Sequence, residues 1–265
     1  MSDPIVRFQQ TGAVAQITLH RPDQLNALDI ATIEALGEAF TEVASNSDIR
    51  AVLLTGEGRA FSAGGDIKAM LSMSDSTSNP QSQMLDGVGI LHGVLSLLYR
   101  LPKPVVVAVN GPAAGAGVGL ALHGDIVWAA ESARFTLAFT GIGVSPDSGT
   151  TYHLPRAVGP KLASELFLTN RSLDAEEALR VGLVSRVLPD DELLPAAREV
   201  AGRLAEGPTL AYEKVRNLVR NSFENGYETQ LAREREAVGL SARTHDFGEG
   251  IAAFAGKRKA MFRGE

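Results

Sequence analysis

Apolar residues along the first quarter of the chain change their spacing in a way that separates strands from helices. β-Branched and apolar residues predominate over Ile5–Gln10 and Ala13–Leu19, on either side of Thr11-Gly12. This pattern predicts a hairpin, with a turn less strongly marked than Asn-Gly would make it. After Asp29 the period lengthens, because Ile33, Leu36, Phe40 and Val43 recur at spacings of three and four. One face of a helix is therefore apolar, and Asp29 stands where its side chain can accept the first free N–H groups. Ala51–Thr55 predicts a short buried strand ending at Gly56. Asp66 opens a short helix, and Ser72–Ser82, crowded with Ser, Asn, Asp and Pro, predicts a mobile loop. Val88–Leu98 reads as helix until Pro102-Lys103-Pro104 stops it. Val105–Val109 is an unbroken apolar run, as expected of a strand covered on both faces.

The order strand, short strand, glycine-rich turn, helix returns at Ile126–Ala129, Arg134–Leu137, Gly141–Gly143 and Ser148–Ala157. Such alternation predicts an α/β fold. Beyond Lys161 helix dominates, with Asp174 as an N-cap, one strand at Leu183–Val187, and amphipathic stretches at Leu193–Leu204, Thr209–Val219 and Tyr227–Leu240. A boundary near Gly207 divides an α/β core over 1–206 from a helical section over 207–265. No Pro- or Ser-rich linker lies between them, so the two are expected to pack together.

Composition narrows the chemistry. The 265 residues carry a formal charge of −6, which gives no overall attraction to a phosphate backbone, so nucleic acid is not the expected partner. The absence of cysteine removes disulfides, thiolate metal sites, Fe–S ligation and a cysteine nucleophile, and fits a reducing compartment. Met1–Phe8 contains Asp3 and has neither a basic nor an apolar targeting region, so a cytoplasmic location is expected. The most apolar stretch, Val105–Val109 with Ala113–Leu122, is interrupted by Asn110-Gly111-Pro112 and is shorter than the roughly 20 residues a bilayer span needs. Histidines 20, 92, 123, 153 and 245 show no ligand spacing, so no metal is expected.

Two turns carry more information. Ala60–Gly64 lacks the first glycine of a serine-nucleophile elbow. Gly111–Gly119 reads G-x-G-x-G at its end rather than the dinucleotide fingerprint G-x-G-x-x-G. Small residues opening a helix nonetheless present unpaired N–H groups together with the positive end of the dipole, an environment that stabilises an anion. Ser62-Ala63-Gly64-Gly65-Asp66 is a second such turn; alone it reads first as a tight turn followed by a helix cap, but two such turns in one chain are less easily dismissed. If the N–H groups of Ala63 and Ala116 converge, they form a two-donor oxyanion hole for a thioester oxygen.

At these residues the chain resembles the crotonase superfamily of enoyl-CoA hydratases and isomerases. The matching segments are "RPDQLNAL" at Arg21–Leu28, "AFSAGGDIKAM" at Ala60–Met70, "VAVNGPAAGAGVGLAL" at Val107–Leu122, Leu154–Val187 and "AFAGKRKAMF" at Ala253–Phe262. The resemblance implies a spiral of ββα turns with a C-terminal helical trimerisation region, a homotrimer or dimer of trimers, and an acyl-CoA thioester substrate. It implies no separate cofactor, since coenzyme A is part of the substrate, and no membrane. It places Ala63 and Ala116 as the oxyanion donors. Leu25, Ala27, Gly64, Gly65, Asp66 and Ile67 lie along the CoA and pantetheine path, and Phe254 and Lys257 form a C-terminal pair reaching CoA, often from a neighbouring subunit. For Lys257 a solvated cation in the run Lys257-Arg258-Lys259 is an equal alternative.

The positions of the two catalytic glutamates of the family's hydratases hold Gly119 and Phe139, neither of which can move a proton. Asp147, in Gly143–Gly149, resembles instead the single acidic base of the family's double-bond isomerases, including the ring-epoxide isomerase of phenylacetyl-CoA breakdown. The competing role for Asp147 is a cap on the helix expected at Ser148. The reading is an isomerase of an unsaturated or ring-derived acyl-CoA, using Asp147 as proton shuttle. An unconventional hydratase and a silent CoA-binding paralogue are the alternatives. The helix over Met84–Leu98 is expected to shape the acyl pocket.

Overall fold

A computed structural model describes residues 3–68, 71 and 79–265. The hairpin forms as expected: β1 (Val6–Thr11) pairs antiparallel with β2 (Val14–Leu19), Thr11 opposite Val14. β3 (Ala51–Gly56), β4 (Val105–Val109), β6 (Ile126–Ala130) and β9 (Arg186–Leu188) continue the sheet in parallel, in the order β1-β2-β3-β4-β6-β9. Every residue of β3 and β4 is buried, because successive side chains enter opposite layers. Val105, Val107 and Val109 join Leu36 and Phe40 of α1 (Ile30–Ser45) and Leu91, Leu95 and Leu98 of α2 (Pro80–Arg100). Val106 and Ala108 face the other way, onto Leu193, Ala197 and Ala201 of α7 (Asp190–Ala205).

A second, smaller sheet contains β5 (Ala113–Ala114), β7 (Arg134–Thr136) and β8 (Leu173–Asp174), and the bridge from Ser62 to Ala113 extends it. The chain passes repeatedly from the large sheet to the small one and then into a helix. β4 and β5 lead to α3 (Ala116–Leu122), and β6 and β7 lead to α4 (Thr150–Val158). β3 leads through Ser62 to a helical start at Ile67 and Lys68. The fold is the ββα spiral, and its register brings the turns after β3 and β5 side by side.

Local chemistry accounts for the departures from the sequence expectations. The helix expected over Val88–Leu98 runs from Pro80 to Arg100, since the Asn79 side chain accepts the Gln81 N–H at 3.0 Å and proline at the first position has no N–H to satisfy. The end of the expected loop Ser72–Ser82 is therefore helical; its residues 72–78 lie outside the described ones. The helix expected from Ser148 begins at Thr150, because Ser148 and Gly149 hold φ of 54° and 70°. The strand placed at Leu183–Val187 forms at Arg186–Leu188, since the Leu183 N–H is taken by the Ala178 carbonyl at the end of α6 (Ala175–Arg180). Asp174 caps α6 as expected, accepting the Glu177 N–H at 2.8 Å. Between α4 and α6 lies α5 (Pro160–Thr169).

α8 (Thr209–Asn221) is fastened to the sheet through charged groups. Arg216 donates to Asp125 and, at 2.7 Å, to the Leu101 carbonyl, and Arg220 reaches Asp125 at 3.1 Å. α9 (Tyr227–Ser241) and α10 (His245–Ala255) follow. α10 escaped the sequence reading because Gly248 and Gly250 interrupt its pattern; Thr244 caps it by accepting the Phe247 N–H. Among the described residues no helix is long and apolar enough to cross a membrane.

Candidate active site

The turn at Ser62–Asp66 is built on a buried asparagine. Leu25 and Asn26 both adopt left-handed backbone, with φ of 51° and 55°, which asparagine tolerates better than most residues. The Asn26 Oδ1 accepts the Arg21 N–H at 2.9 Å, and its Nδ2 donates to the carbonyls of Glu57 (3.0 Å) and Ala60 (2.8 Å). Ser62 Oγ donates to the Asn26 carbonyl at 2.8 Å. The Arg21–Leu28 loop is thereby bolted to the turn, and a bridge between Leu28 and Gly65 completes the junction.

This junction decides which N–H groups remain available. The Ala63 N–H donates to the Leu25 carbonyl at 2.8 Å, so it holds the loop and cannot also serve an oxyanion. The expectation that Ala63 supplies a donor is corrected on that ground. In the bridge, Leu28 donates to the Gly64 carbonyl at 2.7 Å and accepts from the Asp66 N–H at 3.2 Å. The Gly65 N–H, lying between these two, has no protein acceptor among the described residues.

The second turn supplies its counterpart. Ala114 donates to the Ser62 carbonyl at 2.9 Å and Gly115, at φ 49°, to the Thr136 carbonyl at 2.9 Å. Ala116 then opens α3, so its N–H is one of the unpaired donors of a helix start. The two turns touch at glycines. A methyl group on Gly64 would sit 2.5 Å from the Ala114 oxygen and 3.3 Å from the Ala116 nitrogen, and one on Gly117 would sit 2.6 Å from the Ser62 oxygen. Only hydrogen at these positions lets the backbones approach, and the approach sets the Ala116 nitrogen beside the Gly64-Gly65 peptide.

Beyond Ala116, the next turn of α3 meets the Asp147 segment. A methyl group on Gly119 would lie 2.5 Å from Ser148 Cβ and 2.7 Å from the Ser148 oxygen, so no side chain fits between α3 and this segment. Asp147 is half-buried. Its carbonyl accepts the Thr150 N–H (3.0 Å) and Oγ1 (2.7 Å), while its carboxylate accepts the Ser148 hydroxyl at 2.6 Å. The capping role considered for Asp147 does not hold: α4 is capped by Gly149, without a side-chain hydrogen bond. Phe139 is buried, its ring edge 3.9 Å from where a Gly115 methyl group would be.

The remaining expected residues divide into two groups. Leu25, Ala27, Gly64, Gly65 and Asp66 lie at the junction of the Arg21–Leu28 loop with the Ser62–Asp66 turn, where the Arg21 guanidinium donates to the Ala27 carbonyl at 2.7 Å and pairs with Asp29 (3.1 Å) and Asp66 (3.4 Å). Ile67 follows with its side chain half exposed. Sequence reasoning overlooked Arg21 and Asn26, although both lie in the quoted segment "RPDQLNAL". Phe254 is almost fully exposed at the end of α10, and the Lys257 N–H bonds the Phe254 carbonyl. Within the single chain, neither residue has a hydrogen bond or ion pair to the two turns among the described residues. No group of three or more metal-ligating side chains occurs among the described residues.

A ββα spiral whose adjoining turns present backbone donors defines the crotonase class of acyl-CoA enzymes. The chain belongs to the enoyl-CoA hydratase/isomerase family, whose model matches residues 9–265. It is 38% identical over 256 residues to the 1,2-epoxyphenylacetyl-CoA isomerase of Escherichia coli, covering 95% of each chain. It is also 36% identical over 256 residues to the short-chain-enoyl-CoA hydratase of Clostridium acetobutylicum, covering 96% of this chain and 95% of that one. Among solved structures, an enoyl-CoA hydratase from Bacillus anthracis superimposes with a TM-score of 0.92 at 34% identity, covering 98% of this chain and all of that one.

Proposed function

We propose that this enzyme isomerises an unsaturated or ring-derived acyl-CoA, with Asp147 moving the proton and the N–H groups of Gly65 and Ala116 holding the thioester oxygen. Relatives named hydratase and isomerase match almost equally well, so the choice rests on the residues. The observation that carries it is the contact at Gly119. The family's first hydratase glutamate would project from this position, yet the space is filled by Ser148, whose neighbour Asp147 brings a carboxylate to the same turn. The second glutamate position holds the apolar ring of Phe139.

In this reading, the Asp147 carboxylate removes a proton from the carbon next to the thioester or from the end of a conjugated system. The electron pair delocalises onto the thioester oxygen, where two preorganised donors stabilise it. The resulting Asp147 carboxylic acid returns the proton to the other carbon, the carbonyl re-forms and the double bond has moved. No atom is gained or lost, and one titratable group suffices because it acts first as base and then as acid. Coenzyme A belongs to the substrate, and no further cofactor enters this sequence of steps. Assembly of copies through the helical section is part of the proposal, supported by the exposed apolar residues Val215, Val219, Phe223, Tyr227 and Val238 on α8, α9 and the turn between them.

The test is incubation with 3-hexenoyl-CoA and 2-hexenoyl-CoA in deuterated water, followed by mass spectrometry. Interconversion with deuterium uptake and little 3-hydroxyacyl product is expected. Rapid hydration would replace the proposal with an unconventional hydratase; binding of both thioesters with neither exchange nor hydration would make the protein a silent binder for this class.

A further inference from the structure

We propose that His123 is a positioning residue for the Asp147 turn, holding the Gly119 carbonyl through its Nδ1–H and supporting Gly149 with its ring. This inference rests on the reading of Asp147 given above. His123 immediately follows α3 and is buried, with Nδ1 2.7 Å from the Gly119 oxygen. A carbonyl oxygen can only accept, so Nδ1 carries the hydrogen and the neutral ring leaves Nε2 with a lone pair. The same ring lies under the turn that bears Asp147. A methyl group on Gly149 would meet His123 Cε1 at 3.3 Å, His123 Nε2 at 3.6 Å and His153 Cδ2 at 3.5 Å. Gly119 is thus held from two sides: its carbonyl by His123, and its bare α-carbon by Ser148.

The surroundings make this a fixed floor rather than a loose contact. The rings of His123 and His153 lie with centroids 4.5 Å apart, and Tyr99 meets them from the side at 6.5 and 6.0 Å. Tyr152 packs edge-on against His153 at 5.1 Å, and its hydroxyl donates to Glu224 at 2.8 Å. Arg220 lies over Tyr99 and Arg156 over Tyr152, at 4.5 and 3.6 Å from the ring centres. Burial pushes His123 down to about 4, and burial together with the neighbouring His123 and the two arginines pushes His153 down to about 3. Both rings are uncharged at neutral pH, in keeping with the lone pair left on His123 Nε2. The Asp147 carboxylate is two residues from this floor, so a shift of the ring is a shift of the base.

The experiment compares His123→Leu, which keeps bulk but loses the donor, with His123→Asn, whose amide N–H can replace Nδ1–H. Hydrogen exchange of peptides spanning residues 144–152, kcat and KM for 3-hexenoyl-CoA, the Kd of hexanoyl-CoA and Tm are measured, with Asp147→Asn in parallel. His123→Leu is expected to speed exchange in the 144–152 segment and lower kcat about 10- to 100-fold, the scale of a displacement approaching 1 Å, while KM and Kd stay within about threefold. His123→Asn is expected to restore most of both. Unchanged exchange and kcat in His123→Leu, or equal losses in both variants with unchanged exchange, would overturn the inference. If His123→Leu fails to fold, His123→Phe serves the same comparison. Undiminished turnover in Asp147→Asn would instead overturn the isomerase reading, and the exchange data would still decide the role of His123.

Discussion

The substitution Gly119→Ala puts the packing between α3 and the Asp147 turn under direct strain. The added methyl group would lie 2.5 Å from Ser148 Cβ and 2.7 Å from the Ser148 oxygen, whereas ordinary contact begins at 3.4 Å, so the turn must retreat by about 1 Å. It cannot do so by rotating one side chain, because the second clash is with backbone. Ser148 already holds φ of 54°, and the Asp147 carbonyl is tied to Thr150 by two hydrogen bonds. Overpacking of this kind typically costs about 1–3 kcal/mol, which for a chain of this size lowers Tm by several degrees. Displacing a reacting group by about 1 Å can cost roughly 100-fold in rate. Gly119→Ala should therefore lower kcat for proton exchange about 100-fold, with hexanoyl-CoA affinity near wild type because the two donor turns lie elsewhere. Differential scanning calorimetry, calorimetric binding and a deuterium-exchange assay read the three quantities. A variant with wild-type kcat would show that the α3 contact does not position the base, and a gain of hydration in Gly119→Glu would show that the hydratase glutamate fits after all.

Two further outcomes follow from single groups. Replacing the Gly64–Gly65 amide by an ester removes one N–H without adding a side chain and should lower kcat by roughly 10²–10³; the same exchange at Ala63 should cost only about 1 kcal/mol of stability. Equal rate losses at both positions would return Ala63 to the oxyanion hole. In the fold His123 sits near 4 against an ordinary 6.5, so between these values the unfolded chain binds the extra proton and stability falls as pH is lowered. The contribution is complete above about pH 7 and amounts to roughly 3 kcal/mol lost by about pH 4. Urea unfolding from pH 7.5 to 4.5 should show a slope at least this steep, since His153 adds its own share, and His123→Asn should reduce it without abolishing it; identical slopes would contradict the buried neutral state.

Much of this was legible because the local signals agreed with the tertiary ones. The β1–β2 hairpin, the Asp29 and Asp174 caps and the doubly covered strand at Val105–Val109 were each written in a short segment. What escaped was set by contacts between segments. The pattern S-A-G-G-D says that the turn has backbone donors, but not that Leu25, 38 residues earlier, occupies the one at Ala63. Asp147 precedes an expected helix, so a cap competes with the favoured role as base until Ser148 and Gly149 are seen to delay α4. His123 and His153 looked like unremarkable histidines, since 30 residues separate two rings that meet only through the spiral.

Asp147 carries the central claim, and Asp147→Asn tests it with nearly unchanged shape. Deuterium incorporation into 3-hexenoyl-CoA is followed by mass spectrometry for wild type and variant, alongside hexanoyl-CoA binding and Tm. Loss of exchange by at least about 10²-fold, within the range general acid–base groups contribute, is expected with affinity and Tm near wild type. Exchange at the wild-type rate, or rapid 3-hydroxyacyl formation equal in both proteins, would contradict a single-base isomerase.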